Sequence, residues 1–445
     1  MLVARIFTIL LVAIVLGGQC TTASADEHKS VPVLHTLTVV RAGTLIDGKS
    51  DTSRHDQIIV IRGNLIESVS DIAAAKIPPG ADVIDLSHAT VLPGLIDSHT
   101  HIFLQGEDPA QGGYDINILQ YPLALRTARA TVSARHALEQ GFTTLRDVET
   151  EGAGYGDVGI KQAIERGYIP GPRLFISTRA ISTTGGYQLE GYAPELDMPT
   201  GAQIVDGPVE ARKAAREQLE HGADWLKVYM THRSWLGKNG ELVSQPTLTV
   251  EELKAIVDEA HGWGKKVACH AYGGIGLHRA LDGGCDSIEH GLDLDDAAIA
   301  QMLKQGTWYC PTLSVYYYDW AFADTPDGQR DRKRAAVHEV SFPKALRAGV
   351  KIVFGTDMGG IPWTDPIAQE FPQMVKFGMP PMDAIKSATS RPAEMLDMQG
   401  KIGTIEPGAF ADIIAVTGDP LRDIKALGNV PFVMKDGKVF KNEMK

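Results

Sequence analysis

The sequence predicts an α/β fold: a closed (β/α)8 barrel of the TIM type with a small β-sandwich domain built from both chain ends. Three observations predict it. Through the middle of the chain, short apolar runs alternate with helical patterns, as parallel strands joined by crossover helices do. Eight such runs lie between residues 91 and 400, the number that closes a barrel. Short strands separated by hairpin-type pairs lie before and after that region.

Taken in order, residues 1–25 read as a secretory signal peptide with cleavage after Ala25. Arg5 is the positive end, residues 6–16 the apolar core, and Ala23-Ser24-Ala25 a small-x-small cleavage site. That core is shorter than the roughly 20 residues a membrane span needs. The expected location is secreted or periplasmic, with no membrane attachment after cleavage. Cys20 raises a lipoprotein alternative, although Gln19 fits poorly the small residue wanted before a lipid-bearing cysteine.

Candidate strands at 37–41, 57–61, 62–67 and 82–86 follow, with Asp47-Gly48 and Gly63-Asn64 as turn signals. The barrel is expected over residues 91–400. Its strands are placed at 92–97, 142–148, 173–177, 224–229, 266–270, 286–290, 307–313 and 351–357. Helical patterns at 123–139, 209–221, 250–262 and 295–305 separate them. After a helix near 382–388 the chain returns to short strands at 403–405, 411–416 and 431–440, with a hairpin signal at Asp436-Gly437. Residues 401–445 would complete the β domain begun by residues 35–90.

A chain of 445 residues, 44% hydrophobic and 22% charged, can bury a large core. Its formal charge of −12, with no basic run, argues against a nucleic-acid surface. After leader removal Cys269, Cys285 and Cys310 remain, too scattered for a disulfide framework and read as small buried residues.

The stretch Val91-Leu-Pro-Gly-Leu-Ile-Asp-Ser-His99-Thr-His101 is apolar until Asp97 and then places two histidines one residue apart. On a strand both project to one face, where imidazoles can chelate a divalent metal. Other strand ends supply matching groups. Trp225-Leu-Lys227-Val-Tyr229 carries a lysine inside an apolar run, which is unfavourable if it stays buried, charged and unpaired. Val267-Ala-Cys-His270, Ser287-Ile-Glu-His290 and Val353-Phe-Gly-Thr-Asp357 end in ligand-type residues. The C-terminal ends of barrel strands are where such folds place their sites.

With these residues in hand the chain resembles the amidohydrolase superfamily over nearly all of its mature length. Further stretches carry the resemblance: Gly141-Phe-Thr-Thr-Leu-Arg-Asp147, Gly171-Pro-Arg-Leu174, Ser387-Ala-Thr-Ser-Arg-Pro-Ala393 and Gly403-Thr-Ile-Glu-Pro-Gly-Ala-Phe-Ala-Asp412. It is most similar to the branch of imidazolonepropionase-like proteins, Xaa-Pro dipeptidases and ochratoxin-hydrolysing amidohydrolases. The resemblance implies two divalent metal ions, most often Zn2+. His99, His101 and Asp357 would hold one and His270 and His290 the other, with Lys227 bridging them as N6-carboxylysine. Asp357 would take a proton from the attacking water and deliver it to the leaving amine. The bridging lysine, which mononuclear deaminases of the superfamily lack, favours amide or ester hydrolysis.

Tyr229 shares the inward face of its strand with Lys227 and is a candidate for stabilising the oxyanion, or for packing the barrel. His232 and Arg233 open the next loop and could meet a substrate carboxylate. Tyr187, after Thr183-Thr-Gly-Gly, stands where the family often has histidine. Trp235, Tyr316, Tyr317, Tyr318 and Trp320 could line an aromatic-tolerant pocket. The expected function is release of a C-terminal amino acid from a dipeptide or N-acyl amino acid, with proline and phenylalanine as favoured leaving groups, the latter from ochratoxin-type amides. A lactonase or cyclic-amide hydrolase on the same metals is the alternative, and a non-catalytic scaffold is disfavoured by the intact ligand set. A homo-oligomer is implied by the resemblance alone.

Overall fold

Apolar runs of β-branched and aromatic residues make two parallel ladders. Leu95–Thr100, Phe142–Asp147 and Arg173–Ile176 form one. Trp225–Tyr229, Lys266–Gly273, Ser287–Asp293 and Trp308–Cys310 form the other. Both are buried on both faces, as parallel strands covered by helices are. The computed structural model describes residues 37–108, 113–189, 191–318 and 324–444. The expected signal peptide, Cys20 and Trp320 lie outside the described residues.

Backbone bonds close the two ladders into a (β/α)8 barrel. On one side Asp224 N donates to Ile176 O at 2.7 Å. On the other, residues 351–358 bridge the gap: Tyr309 N donates to Lys351 O (2.8 Å) and Ser98 N to Phe354 O (3.0 Å). This eighth segment was expected as a strand over 351–357. It makes only isolated bridges, Tyr309↔Ile352 and Thr100↔Met358. The reason is local: Asp357 has φ 62°, and Thr356 N turns to the Asp97 side chain. A Cβ on Gly355 would overlap Cys310 Sγ, so only glycine lets the segment lie this close. The seventh strand is also shorter than expected, because Pro311 has no N–H and Thr312 has φ 50°.

Helices cover the barrel close to where their periodicity placed them. Leu123–Glu139 and Val250–Gly262 match their expected spans, and Thr249 with Glu252 forms a capping box at the start of the second. Of the elements not anticipated, two bear on the site. A hairpin, Thr231–Leu236 with Leu242–Pro246, follows the fourth barrel strand. A 23-residue helix, Pro326–Ala348, starts at a Thr325 cap and Pro326 and ends at Gly349 (φ 85°). Both wall the cavity described below.

The chain ends share one seven-stranded sheet. Ile413–Val416 pairs antiparallel with Asp82–Pro93 and so joins the C-terminal strands to the N-terminal ones. The sheet curls until its outer turns meet: Ala411 N donates to Asn64 O (2.8 Å) and Gly437 N to Ala411 O (3.0 Å). Val40, Ile59, Val91, Ile413 and Phe432 fill one core between the two layers. Arg62 ends one strand and Leu65 begins the next across the Gly63-Asn64 turn, so the run at 62–67 is a hairpin and not one strand. The run at 403–405 is irregular.

One cysteine expectation is corrected. Cys269 and Cys285 form a disulfide (Cα–Cα 6.1 Å), because the helix Gly274–Gly283 brings the chain back beside the strand it left. Cys310 is a buried free thiol.

Candidate metal centre

Asp97 fixes the floor of the site before any ligand is placed. Its Oδ1 accepts from His99 N (3.0 Å) and Thr356 N (3.2 Å), and its Oδ2 from the Thr356 hydroxyl (2.6 Å). The first strand is thereby tied to the segment that carries Asp357. Burial, against these hydrogen bonds, pushes the Asp97 carboxyl up to about 7.

Four imidazoles follow on one another above that floor. Ring centroids are 5.3 Å apart for His99–His101, 4.9 Å for His99–His290 and 4.4 Å for His270–His290. Asp357 Oδ1 lies 3.1 Å from His101 Nε2 and 3.6 Å from His99 Nε2. Ligand atoms of His99, His290 and Asp357 lie within 4.8 Å of one another. Lys227, 1% exposed, places Nζ 3.3 Å from His99 Nε2. His290 (φ 71°) and Asp357 (φ 62°) both occupy the left-handed region, a strain concentrated at the site.

Groups behind the imidazoles hold them. His99 Nδ1 lies 2.7 Å from Glu289 Oε2, His101 Nδ1 3.2 Å from Glu151 Oε1, and His290 Nδ1 2.8 Å from the Thr312 hydroxyl. Glu289 is gripped in turn by Arg146 Nη2 (2.8 and 2.9 Å) and the Ser287 hydroxyl (2.5 Å). Arg146 Nε also donates to Ser98 O (2.6 Å), so this ion pair, 0% exposed, is satisfied on both sides. For His99 the bond to Glu289 directs Nε2 towards Asp357, whereas His101 Nδ1 stands beside Glu151 without a hydrogen bond among the described residues.

The charge states follow from burial and neighbours. Burial and the Lys227 charge lower His99 to about 4, and burial first holds His270 and His290 well below their ordinary value. Burial also lowers Lys227, against the nearby Glu289, Glu149 and Asp357. At Asp357 burial is outweighed by the imidazoles, His99 foremost, and the carboxyl is held far below the usual range. At Glu289 the Arg146 and His99 charges outweigh burial in the same way. Imidazoles around a carboxylate are a donor set for a divalent cation. His270 Nε2 is buried with no hydrogen-bond partner among the described residues, so the fit has an observation behind it.

The centre opens into a cavity of about 840 Å³, which Tyr187, Tyr229, His232 and Arg233 line with the histidines. The Tyr229 hydroxyl donates to Glu149 Oε2 at 2.5 Å, and the Tyr187 hydroxyl to Glu151 Oε2 at 2.6 Å. Tyr187 packs on Tyr229 (4.4 Å) and His232 (4.7 Å). Burial, with the charges of Arg233 and Arg334, lowers His232 to about 4. Of the aromatic wall expected beyond, Trp235 lines the cavity and Tyr316 meets His290 edge to face (6.2 Å). Tyr317 and Tyr318 do not line it. The 3-10 turn Ser314–Tyr317 sends their hydroxyls to Glu339 and Asp365.

A model of the Amidohydrolase family matches residues 90–440. The chain belongs to the amidohydrolase family. Ochratoxinase of Aspergillus niger is 31% identical, over 94% of this chain and 88% of its own. A crystal structure of a Xaa-Pro dipeptidase with bound methionine superposes with a TM-score of 0.82 at 36% identity, covering 92% of this chain and all of that one. A prolidase complexed with N-methylphosphonate-L-proline gives 0.79 at 31% identity with the same coverage. This amidohydrolase is a metal-dependent enzyme acting on amide bonds, and its fold is the family's barrel with an added β domain.

Several site residues of this amidohydrolase were not picked out from sequence. Glu149 and Glu151 repeat, after the second strand, the one-residue spacing of the two histidines after the first, and that signal was available. Arg146 is a cation inside an apolar strand, as Lys227 is, and invited the same question. Glu107 comes from a loop and Arg334 from an unanticipated helix, with no pattern to mark them, and Tyr272 lies on the strand Lys266–Gly273 beyond its expected end at His270.

Proposed function

We propose that this amidohydrolase hydrolyses the amide bond of a dipeptide or an N-acyl amino acid and releases the C-terminal amino acid. The observation that carries the reading is the convergence of His99, His101, His270, His290, Asp357 and Lys227 at the floor of one cavity with cationic side chains on its wall. His99, His101 and Asp357 would hold one divalent ion, His270 and His290 the other, and Lys227 as N6-carboxylysine would join them, with zinc the expected metal. A carbamate would also relieve a buried lysine that has no carboxylate partner among the described residues. When bound, such ions supply Lewis acidity and water activation.

The chain's own groups do the rest. Asp357 accepts the proton of the attacking water and passes it to the leaving nitrogen. Tyr229 donates to the developing oxyanion, exchanging its bond to Glu149. Tyr187, His232 and Arg233 shape the substrate end of the cavity. Support for a secreted or periplasmic location comes from the leader-like residues 1–25 and from the Cys269–Cys285 bond, which suits an oxidising compartment. Amino-terminal sequencing of the mature protein checks cleavage after Ala25.

The test is amino-acid release from a panel of dipeptides and N-acyl amino acids with the C-terminal residue varied and lactones included. Release of proline or an aromatic residue is expected. Lactone opening without amino-acid release would discard the reading.

A further inference from the structure

Two buried acids one residue apart, Glu149 and Glu151, follow the end of the second barrel strand. The turn that carries them is held on several sides. Val148 N donates to Thr100 O (2.9 Å), Thr150 N to Thr178 O (3.0 Å), and Arg126 Nη2 to Glu151 O (2.5 Å). Between them the acids hold three phenols. Glu151 Oε2 accepts from Tyr114 (2.8 Å) and Tyr187 (2.6 Å), and Glu149 Oε2 accepts from Tyr229 (2.5 Å). Tyr187, fixed in this way, packs 4.4 Å from the Tyr229 ring. The same ring meets His270, its ladder neighbour, at 4.8 Å, and Lys227 Nζ stands 5.5 Å over it. Packing therefore sets the Tyr229 ring beside the residues that would hold metal, and Glu149 sets its hydroxyl. Glu149 itself is 0% exposed, and its Oε1 has no hydrogen-bond partner among the described residues. A buried carboxyl so sparsely satisfied is costly to fold around, and its bond to Tyr229 is the contact that it makes. Burial and Glu151 push this carboxyl up, against Tyr229 and Lys227, and in either protonation state it can bond the phenol.

We propose that Glu149 is a positioning residue for the hydrolysis, acting through the Tyr229 hydroxyl, which it holds in place for the developing oxyanion. This deepens the amide-hydrolase reading and rests on it and on the role given there to Tyr229. A donor fixed before charge develops needs no reorganisation when the charge appears. With the ring packed and Oη held, only the direction of the O–H bond has to change as the oxyanion forms. Without Glu149 the hydroxyl would have to find another partner, and its place beside His270 would rest on packing alone. Glu149 touches no substrate atom in this account. Its effect on the rate passes through Tyr229 and vanishes when that hydroxyl is absent.

The experiment uses metal-loaded enzyme and the best-cleaved member of the panel of dipeptides and N-acyl amino acids, with kcat, KM and bound metal measured for each variant. Tyr229→Phe should lower kcat about 100-fold with KM and metal content unchanged, because the lost bond belongs to the transition state. Glu149→Leu should lower kcat at least about tenfold when Tyr229 is present, and change the Tyr229→Phe enzyme by less than about twofold. Glu149→Gln, which keeps a partner for the hydroxyl, should recover most of that loss. Damage to folding slows both backgrounds alike and cannot produce this non-additivity. An equal loss in both backgrounds, loss of metal in Glu149→Leu, or a glutamine variant as slow as the leucine one would overturn the proposal. Unchanged turnover in Tyr229→Phe would overturn it together with the oxyanion role of Tyr229, and leave amide hydrolysis in place. Release from no member of the panel would overturn the underlying reading and this one with it.

Discussion

Lys227 and Arg146 pose one problem on two barrel strands: a cation inside an apolar wall. Arg146 is answered within the protein by Glu289, Ser287 and Ser98. Lys227 makes no ion pair among the described residues; its Nζ lies 3.3 Å from His99 Nε2 and 5.5 Å over the Tyr229 ring. The lysine was legible because its strand is otherwise apolar; the partner of Arg146 lies 143 residues away, and no local pattern links them. Glu289→Gln should weaken metal binding about 10–100-fold by loosening His99, and leave Arg146 as a buried unpaired charge. Metal titration and denaturant unfolding measure the two effects, and unchanged affinity would refute the positioning role of Glu289. Asp357→Asn should lower turnover at least about 1000-fold while metal is largely retained. Near-normal turnover in that variant removes Asp357 as the proton carrier.

His338 gives a residue-scale pH dependence away from the metal site. Burial lowers its imidazole to about 3, against about 6.5 in the unfolded chain. Between those values the unfolded chain binds a proton that the folded chain does not. Stability present above pH 6.5 is thus lost as pH falls towards 3, at about 1.4 kcal/mol per unit. Urea midpoints at pH 7 and pH 5 should differ less in His338→Gln than in the wild type. An identical difference would show that other groups set the acid limb.

Among the elements, those with one clean period were legible. The helix Leu123–Glu139 repeats its apolar face, and the hairpin at Asp436-Gly437 has its turn pair. The helix Pro326–Ala348 was not, because Arg330-Asp-Arg-Lys-Arg334 reads as a solvated charge run although part of it faces a cavity. The segment 351–358 looked like a strand because its residues are apolar, yet its shape is set by Gly355 and Asp97. Gly355→Ala should destabilise by about 1–3 kcal/mol and also reduce bound metal, since the added Cβ presses on His99 and Cys310. Gly437→Ala, at φ +74° and against Gly63 O, should destabilise comparably with metal content unchanged. Equal metal loss in both variants would mean that the β sheet and the metal centre are not separable.

For the whole molecule, fold class and ligand types were readable because a barrel sends the ends of its parallel strands to one face. His99, His270, His290 and Asp357 could be nominated strand by strand without knowing any distance. What could not be read was which groups the supporting layer joins: Glu149, Glu151, Glu289 and Arg146 act through contacts between distant strands. The Cys269–Cys285 bond was missed for the same reason, since only the folded return of the intervening helix brings the two together.

The most direct measurement is a zinc titration of metal-free enzyme in bicarbonate buffer, following bound metal and proline release from Ala-Pro in the same samples. Release should be absent without metal and rise to a plateau as the His99, His101, Asp357, His270 and His290 positions fill, at about two ions per chain. Proline release that persists in the fully chelated enzyme, or full metal loading with no release from any dipeptide or N-acyl amino acid, would contradict the assignment.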